Sequence, residues 1–218
     1  MKYFLSALVV ALALPAAAQQ MSNELDSVSY SAGIIVAKNL KVQGLDVMNA
    51  ELFLLGVLQV LNEEQTAMSP SEAEQYFRNF QAEKRRLEGM MNKQLGEQFL
   101  AENAKREGVF TTESGLQYEV IKMGDGPKPK ATDKVYTHYH GTLMDGTVFD
   151  SSVERNEPIE FGLNQVITGW TEVLQLMPVG SKFRAFSPYQ LAYGERGAGG
   201  VIEPYSMLIF EIELLEIR

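Results

Sequence analysis

Between Val135 and Phe210, four short pieces gather aromatic and branched apolar residues around one carboxylate and one phenol. They are Val148-Phe149-Asp150, Val166-Ile167-Thr168-Gly169-Trp170, Leu191-Ala192-Tyr193-Gly194 and Leu208-Ile209-Phe210. Such residues make a dry pocket with a few polar handles. They do not make bond-breaking chemistry, because the chain has no cysteine, no Ser-His-Asp spacing and no paired acids. His138 and His140 are its only histidines. They flank Tyr139, point to the opposite face of a strand, and have no third ligand nearby for a metal. The run Gly194-Glu195-Arg196-Gly197-Ala198-Gly199-Gly200 is rich in glycine but lacks the Lys-Ser/Thr and following helix of a phosphate loop. It reads as a mobile flap over the pocket, with Asp150, Glu195 or solvent as partner for Arg196. No metal and no cofactor is expected.

The elements that must position these residues lie in the second half of the chain. Leu116 to Ile121 alternates as a strand does. Gly124-Asp125-Gly126-Pro127-Lys128-Pro129 is a loop that sheet or helix interiors would reject. Lys134 to Leu143 is a strand, Asp145-Gly146 a tight hairpin turn, and Val148-Phe149 the returning strand. Val166 to Met177 is one short helix, stopped by Pro178 and Gly180. Lys182 to Phe186 is a strand. Met207 to Ile217 alternates again, with Phe210, Ile212 and Leu214 on one face and Glu211 and Glu213 on the other. Antiparallel strands around one helix make an α+β domain. Val109 to Gly115 reads as the linker before it.

The first half is helical. Ser27 or Ser29 can cap a helix that reaches Val42, and Gly44 stops it. A second helix runs from about Asn49 to Gln65. Its leucines, valines and Phe53 cover nearly the whole circumference, so it must be buried on all sides. A partner chain is the natural source of that cover, and the C-terminal domain is the alternative. Ser69-Pro70-Ser71-Glu72 opens a third helix with a cap, a proline at the first position and a capping-box glutamate. It runs to about Arg106, ~55 Å at ~1.5 Å per residue. Beyond Gln81 only Leu87, Met91, Leu95 and Phe99 break its polar surface, as expected of a solvated arm between two domains.

The chain has 218 residues and a formal net charge of -9. That acidity disfavours nonspecific nucleic-acid binding, which needs basic patches. Met1 to Gln20 has the form of a signal peptide: Lys2, an apolar run from Tyr3 to Leu14, Pro15, and Ala16-Ala17-Ala18 before a cut after Ala18. The apolar run is shorter than the ~20 residues that span a bilayer. Export without cysteine suits a bacterial periplasm. Three segments follow: 1–18 as signal peptide, 19–108 as a helical dimerisation and chaperone domain with its long helix, and 109–218 as the site-bearing domain.

The four pieces resemble, in order and spacing, the FKBP-type peptidyl-prolyl isomerases. The three helices before them resemble, more loosely, the exported Mip and FkpA class, whose N-terminal domain dimerises. Taken singly, Tyr139, Phe149, Phe161, Trp170, Tyr193 and Phe210 are ordinary core residues. The resemblance implies that they share one shallow proline pocket with Asp150, Val166, Ile167, Val201 and Ile202. Trp170 is then the floor, and Tyr139, Phe149 and Phe210 are walls. The Ile167 N–H and the Tyr193 hydroxyl donate to substrate carbonyls, and Asp150 is buried at the edge. Asp150 equally suits a structural acceptor for Tyr139 or a backbone N–H. The implied activity is cis-trans isomerisation of Xaa-Pro bonds in unfolded or proline-containing exported polypeptides, with chaperone action by a homodimer and macrolides as inhibitors. Ile159, Ala198, Gly199 and Glu203 depart from the family pattern at the rim, where macrolide binding and sequence preference are decided. A non-catalytic chaperone or peptide-binding module on the same fold is the alternative.

Overall fold

The structure, a computed structural model, describes residues 21–45 and 48–218. The signal peptide expected over 1–18 lies outside them. The chain divides between Ser69 and Pro70 into two compact units.

In the first unit, helix α1 (Glu24–Val42) starts before Ser27 and Ser29. Asn23 caps it instead, its side-chain oxygen accepting from the Asp26 N–H at 2.9 Å. Ser27 is already helical and bonds back to the Asn23 carbonyl at 3.3 Å. Helix α2 (Ala50–Leu61) is capped by Asn49, which accepts from the Leu52 N–H at 3.0 Å. It ends before Gln65, the residue expected to close it. No residue of either helix is buried. Leu52 and Leu61 lie on opposite sides of α2, nine residues apart at about 100° each, and are 64% and 73% exposed.

The second unit begins with the long helix α3 (Pro70–Asn103) and continues through a seven-stranded sheet. Its strands are β1 (Val109–Thr111), β2 (Gln117–Lys122), β3 (Lys134–Thr142), β4 (Val148–Ser151), β5 (Ile159–Gly162), β6 (Lys182–Ser187) and β7 (Leu208–Ile217). They run in the order β1-β2-β6-β7-β3-β4, with β5 also paired to β3, and every pairing is antiparallel. Two strands were hidden from sequence reading. The stretch 109–115, expected as linker, is β1 and its turn into β2, and β5 went unread. At three and four residues they are too short to show a period.

Helix α4 (Thr168–Leu176) lies against one face. Trp170, Val173 and Leu174 enter a core with Val135, Tyr139, Phe183, Leu208, Phe210, Ile212 and Leu214. On β7 the burial alternates, with Phe210, Ile212 and Leu214 inside. The hairpin forms where Asp145-Gly146 placed it: Gly146 has φ +87°, and the Asp145 carboxylate accepts from the Thr147 N–H at 2.9 Å.

Beyond Gln81, α3 is solvated over most of its surface, as expected of an arm, but one side of it is seated. Gly89, Gly96 and Asn103, seven residues apart, are its buried positions. Phe99 lies on Phe186, ring centroids 5.8 Å apart. The Asn103 amide donates to the Gln117 side chain at 2.8 Å, and that side chain donates to the Leu100 carbonyl at 2.8 Å. Leu87, Met91 and Leu95 stay exposed. The seat is made by small residues that let a helix approach closely, which a hydrophobic count passes over.

Candidate functional site

The site is built where β3, β4 and β7 meet the first turn of α4. Successive strand side chains alternate between faces, so Tyr139 on β3 and Phe210 on β7 both point at α4. Trp170, on the third residue of α4, is enclosed by three rings. Tyr139 meets it at 5.1 Å and 78°, Phe161 at 5.2 Å and 52°, and Phe210 at 5.3 Å and 82°. Phe149 stands edge-on to Phe210 at 5.5 Å. Edge-to-face contacts of this kind are the favoured aromatic geometry. Trp170 keeps 6% of its surface, and its buried indole N–H has no hydrogen-bond partner among the described residues.

Gly141 makes room for this box, although nothing in its sequence context marks it. A Cβ there would lie 2.6 Å from the Phe149 ring and 3.2 Å from that of Phe210. Val166, Ile167 and Phe161 are half-buried against the same core, and Ile202 is buried in it. Val201 is exposed and stands outside that cluster. Ile167 caps α4; its carbonyl accepts from the Trp170 and Thr171 N–H groups at 3.0 and 3.2 Å. Its own N–H has no acceptor among the described residues.

The polar handles form one network. The Tyr139 hydroxyl donates to one Asp150 oxygen, and Arg155 pairs with the other. Arg155 also donates to the Tyr139 hydroxyl at 3.0 Å. Arg155, not Arg196, is thus the partner of Asp150. It sits in the turn after β4, where no periodic pattern marks it. Asp150 was expected to be buried, but its side chain is 45% exposed, because β4 lies at the sheet edge. Partial burial raises its pKa, yet the Tyr139 and Arg155 hydrogen bonds and the Arg155 charge outweigh that, and the carboxyl falls below its ordinary value. Burial, then the bond to Asp150, raises the Tyr139 phenol. The Asp150 carboxylate holds Arg155 firmly protonated.

Tyr193 is half-exposed; burial and the Asp150 charge push its hydroxyl up, and it has no hydrogen-bond partner among the described residues. His138 and His140 bond through Nδ1 to Ser152 and Ser151 at 3.1 and 2.9 Å. The glycine-rich run, expected as a mobile flap, is held as a small loop. Ala198 and Ile202 exchange two backbone bonds of 2.8 and 3.0 Å, and Gly197 has φ +67°. The arrangement offers an aromatic floor, an unused backbone donor and a phenol, with no group placed for covalent attack.

The chain is similar to known proteins over both of its parts. Residues 126–215 match the family model of the FKBP-type peptidyl-prolyl cis-trans isomerase, and residues 25–120 that of the domain amino-terminal to it. The chain is 49% identical over 202 residues to the FKBP-type peptidyl-prolyl cis-trans isomerase FkpA of Aeromonas hydrophila, covering 88% of this chain and 74% of that one. It is 46% identical over 194 residues to an FKBP-type 22 kDa peptidyl-prolyl cis-trans isomerase of Escherichia coli, covering 87% and 93%. The crystal structure of FkpA from Escherichia coli superposes with a TM-score of 0.71 at 32% identity, covering 91% of this chain and 99% of that one.

Proposed function

This chain belongs to the FKBP-type peptidyl-prolyl cis-trans isomerases, and we propose that it turns Xaa-Pro bonds over the Trp170 floor. The observation that carries this assignment is the box of Tyr139, Phe161 and Phe210 around Trp170, each ring within 5.3 Å. A pyrrolidine ring lies on the indole, with Phe149 as a further wall. The Ile167 N–H and the Tyr193 hydroxyl donate to substrate carbonyls, and Val166, Val201 and Ile202 touch the flanking residues. Asp150 and Arg155 fix the Tyr139 ring.

The chemistry needs no more. The barrier to rotation is ~20 kcal/mol because the planar amide is resonance-stabilised, and unaided exchange takes tens to hundreds of seconds. The planar amide carries charge on its oxygen, and twisting removes it. A water-poor aromatic pocket strips the hydrogen bonds that favour the planar form, while contacts outside the bond offset the desolvation. A ~10⁴-fold acceleration needs about 5.5 kcal/mol of differential stabilisation.

The biological setting is part of the same proposal. The Met1–Ala18 pattern supports export, to a bacterial periplasm. Among the described residues no helix is long and apolar enough to cross a membrane. The apolar α2, none of whose residues is buried, supports a homodimer through the N-terminal helices, acting as a chaperone on unfolded polypeptides, with macrolides as candidate inhibitors of the pocket. The test is Trp170→Leu, followed by isomerisation of a short proline peptide. Turnover falls ~10²-fold, a loss of about 2.7 kcal/mol of transition-state stabilisation, with native circular dichroism. Wild-type turnover would overturn the floor assignment.

A further inference from the structure

The seat of α3 is also the root of the 193–205 loop. A Cβ on Gly89 would meet the Tyr205 ring at 2.9 Å and Pro204 Cβ at 3.2 Å, and one on Gly96 would meet Met207 Cβ at 3.1 Å. One turn on from Gly89, Asn92 donates from Nδ2 to Glu203 Oε2 at 3.0 Å and to the Pro204 carbonyl at 3.1 Å. Residues 203–207 are therefore held against the helix by packing and by a forked amide.

Tyr205 carries that hold to the other end of the loop. Its N–H donates to the Gly194 carbonyl at 3.0 Å. Its ring stands edge-on to Tyr189 at 5.0 Å, and burial followed by the nearby Glu195 charge pushes its phenol up. Its φ of +58° is one that a bulky residue adopts only where its surroundings impose it. Gly194 and Glu195 directly follow Tyr193. Between the two ends, Ala198 and Ile202 pair, and Ile202 is buried against the aromatic core. Three residues assigned to the pocket, Tyr193, Val201 and Ile202, thus hang on a loop both ends of which are fixed through Tyr205.

We propose that α3 is a positioning element of the isomerase site, acting through Asn92 and the Gly89 seat on the loop that carries Tyr193 and Ile202. Asn92 touches no substrate. It holds a rim that binds substrate in both the planar and the twisted state, so its loss weakens binding more than it slows the chemical step. This inference rests on the reading of Tyr193, Val201 and Ile202 as substrate contacts.

The test uses the full chain and four variants. Asn92→Asp replaces the donor by a carboxylate facing Glu203, and Asn92→Ala only deletes it. In the pair Asn92→Asp with Glu203→Gln, the introduced amide donates to the introduced carboxylate, restoring one bond in reverse. Trp170→Leu reports on the pocket itself. On a short proline peptide, Asn92→Asp, which loses both bonds of the forked amide, raises KM about tenfold or more with kcat within about twofold. The double variant brings KM back to within about threefold of wild type. Amide exchange in 194–206 accelerates in Asn92→Ala, while that of β3 and β7 does not change. Unchanged KM in Asn92→Asp, beside lost turnover in Trp170→Leu, overturns the positioning role and leaves the pocket standing. Full turnover in Trp170→Leu overturns the pocket and this inference together. Should Asn92→Asp fold poorly, the exchange pattern of Asn92→Ala decides, and an even rise across the sheet counts against the proposal.

Discussion

The two units treat their apolar residues in opposite ways. In the sheet unit, Val135, Leu163, Val173, Leu174, Ile212 and Leu214 are all fully buried. In α1 and α2 nothing is buried, although α2 is the most apolar of the described helices. Apolar surface is worth about 25 cal/mol per Å² removed from water, so the sheet unit owes its stability to itself. The α1–α2 unit owes its stability to surface that it does not contain. A helix that is apolar all round is stable only where something covers it. One part of the molecule thus closes its own core, and the other leaves its apolar helices open, as the proposed dimer would require.

The sharpest way to break this comparison is to charge α2. Leu54 and Leu58 are four residues apart on one face and about half exposed. Changing both to Glu places unpaired carboxylates on the face proposed to meet a partner chain, at a cost of several kcal/mol. The wild type scatters light as twice its chain mass, and the double variant as one chain or as misfolded protein. Turnover on a short proline peptide persists in the folded fraction, because the sheet unit needs no partner. A wild-type mass of one chain at micromolar concentration would refute the dimer.

A cut at the unit boundary sharpens the same comparison with a smaller effect. Residues 70–218 keep α3 and its seat, so a short peptide is turned over at the full rate. An unfolded protein differs, because contacts with the N-terminal helices raise the local concentration of its prolines. Refolding of a proline-limited protein should slow ~10-fold with this fragment, by the arithmetic of linked sites. Equal refolding rates would reduce the helices to a clamp. Residues 109–218 lack the Asn92 anchor, and their KM for the short peptide should rise as well.

The legibility of the chain follows the same division. Met207 to Ile217 alternates cleanly because one face of β7 is buried, and Ser69-Pro70 marked the start of α3 because caps are local chemistry. The aromatic floor needed the family resemblance: Trp170 alone reads as core, and core packing and a binding floor use the same residues. Arg155 was missed because a turn residue five positions from Asp150 carries no period. Gly89 and Gly96 were missed for a different reason. Glycine in a helix usually signals weakness, and only the approach of Tyr205 and Met207 shows that it is a seat. What depends on the close fit of separate segments has no local signature.

The smallest effect concerns the polar edge of the pocket, where burial and exposure meet in one residue. Asp150 and Arg155 are each about half exposed, so their pairing resembles a surface ion pair, and such pairs contribute little. Its pH dependence is nevertheless distinctive. The folded state holds the Asp150 carboxyl below its ordinary value of 3.8, against the opposing effect of burial. Near that value the unfolded chain binds more protons than the folded one, so stability rises with pH there. The contribution is complete above 3.8 and is lost as pH falls through the lower folded value. Asp150→Asn keeps an oxygen for the Tyr139 hydroxyl but removes the charge facing Arg155. Melting midpoints of wild type and variant should therefore differ slightly and constantly from pH 5 to 8, an interval above the ~3.9 of a free aspartate, and converge in stronger acid. At the alkaline end the sign reverses. Burial and Asp150 raise the Tyr139 phenol above its ordinary 10.0, so its contribution is present below that value and lost as pH climbs through the folded one. Removing the Asp150 charge lowers the folded value and narrows that window, so the variant should lose less stability than wild type as pH rises above 10.0. Parallel curves at both ends would show that Asp150 is not coupled to Tyr139 and Arg155, and that the network holds the ring by packing alone.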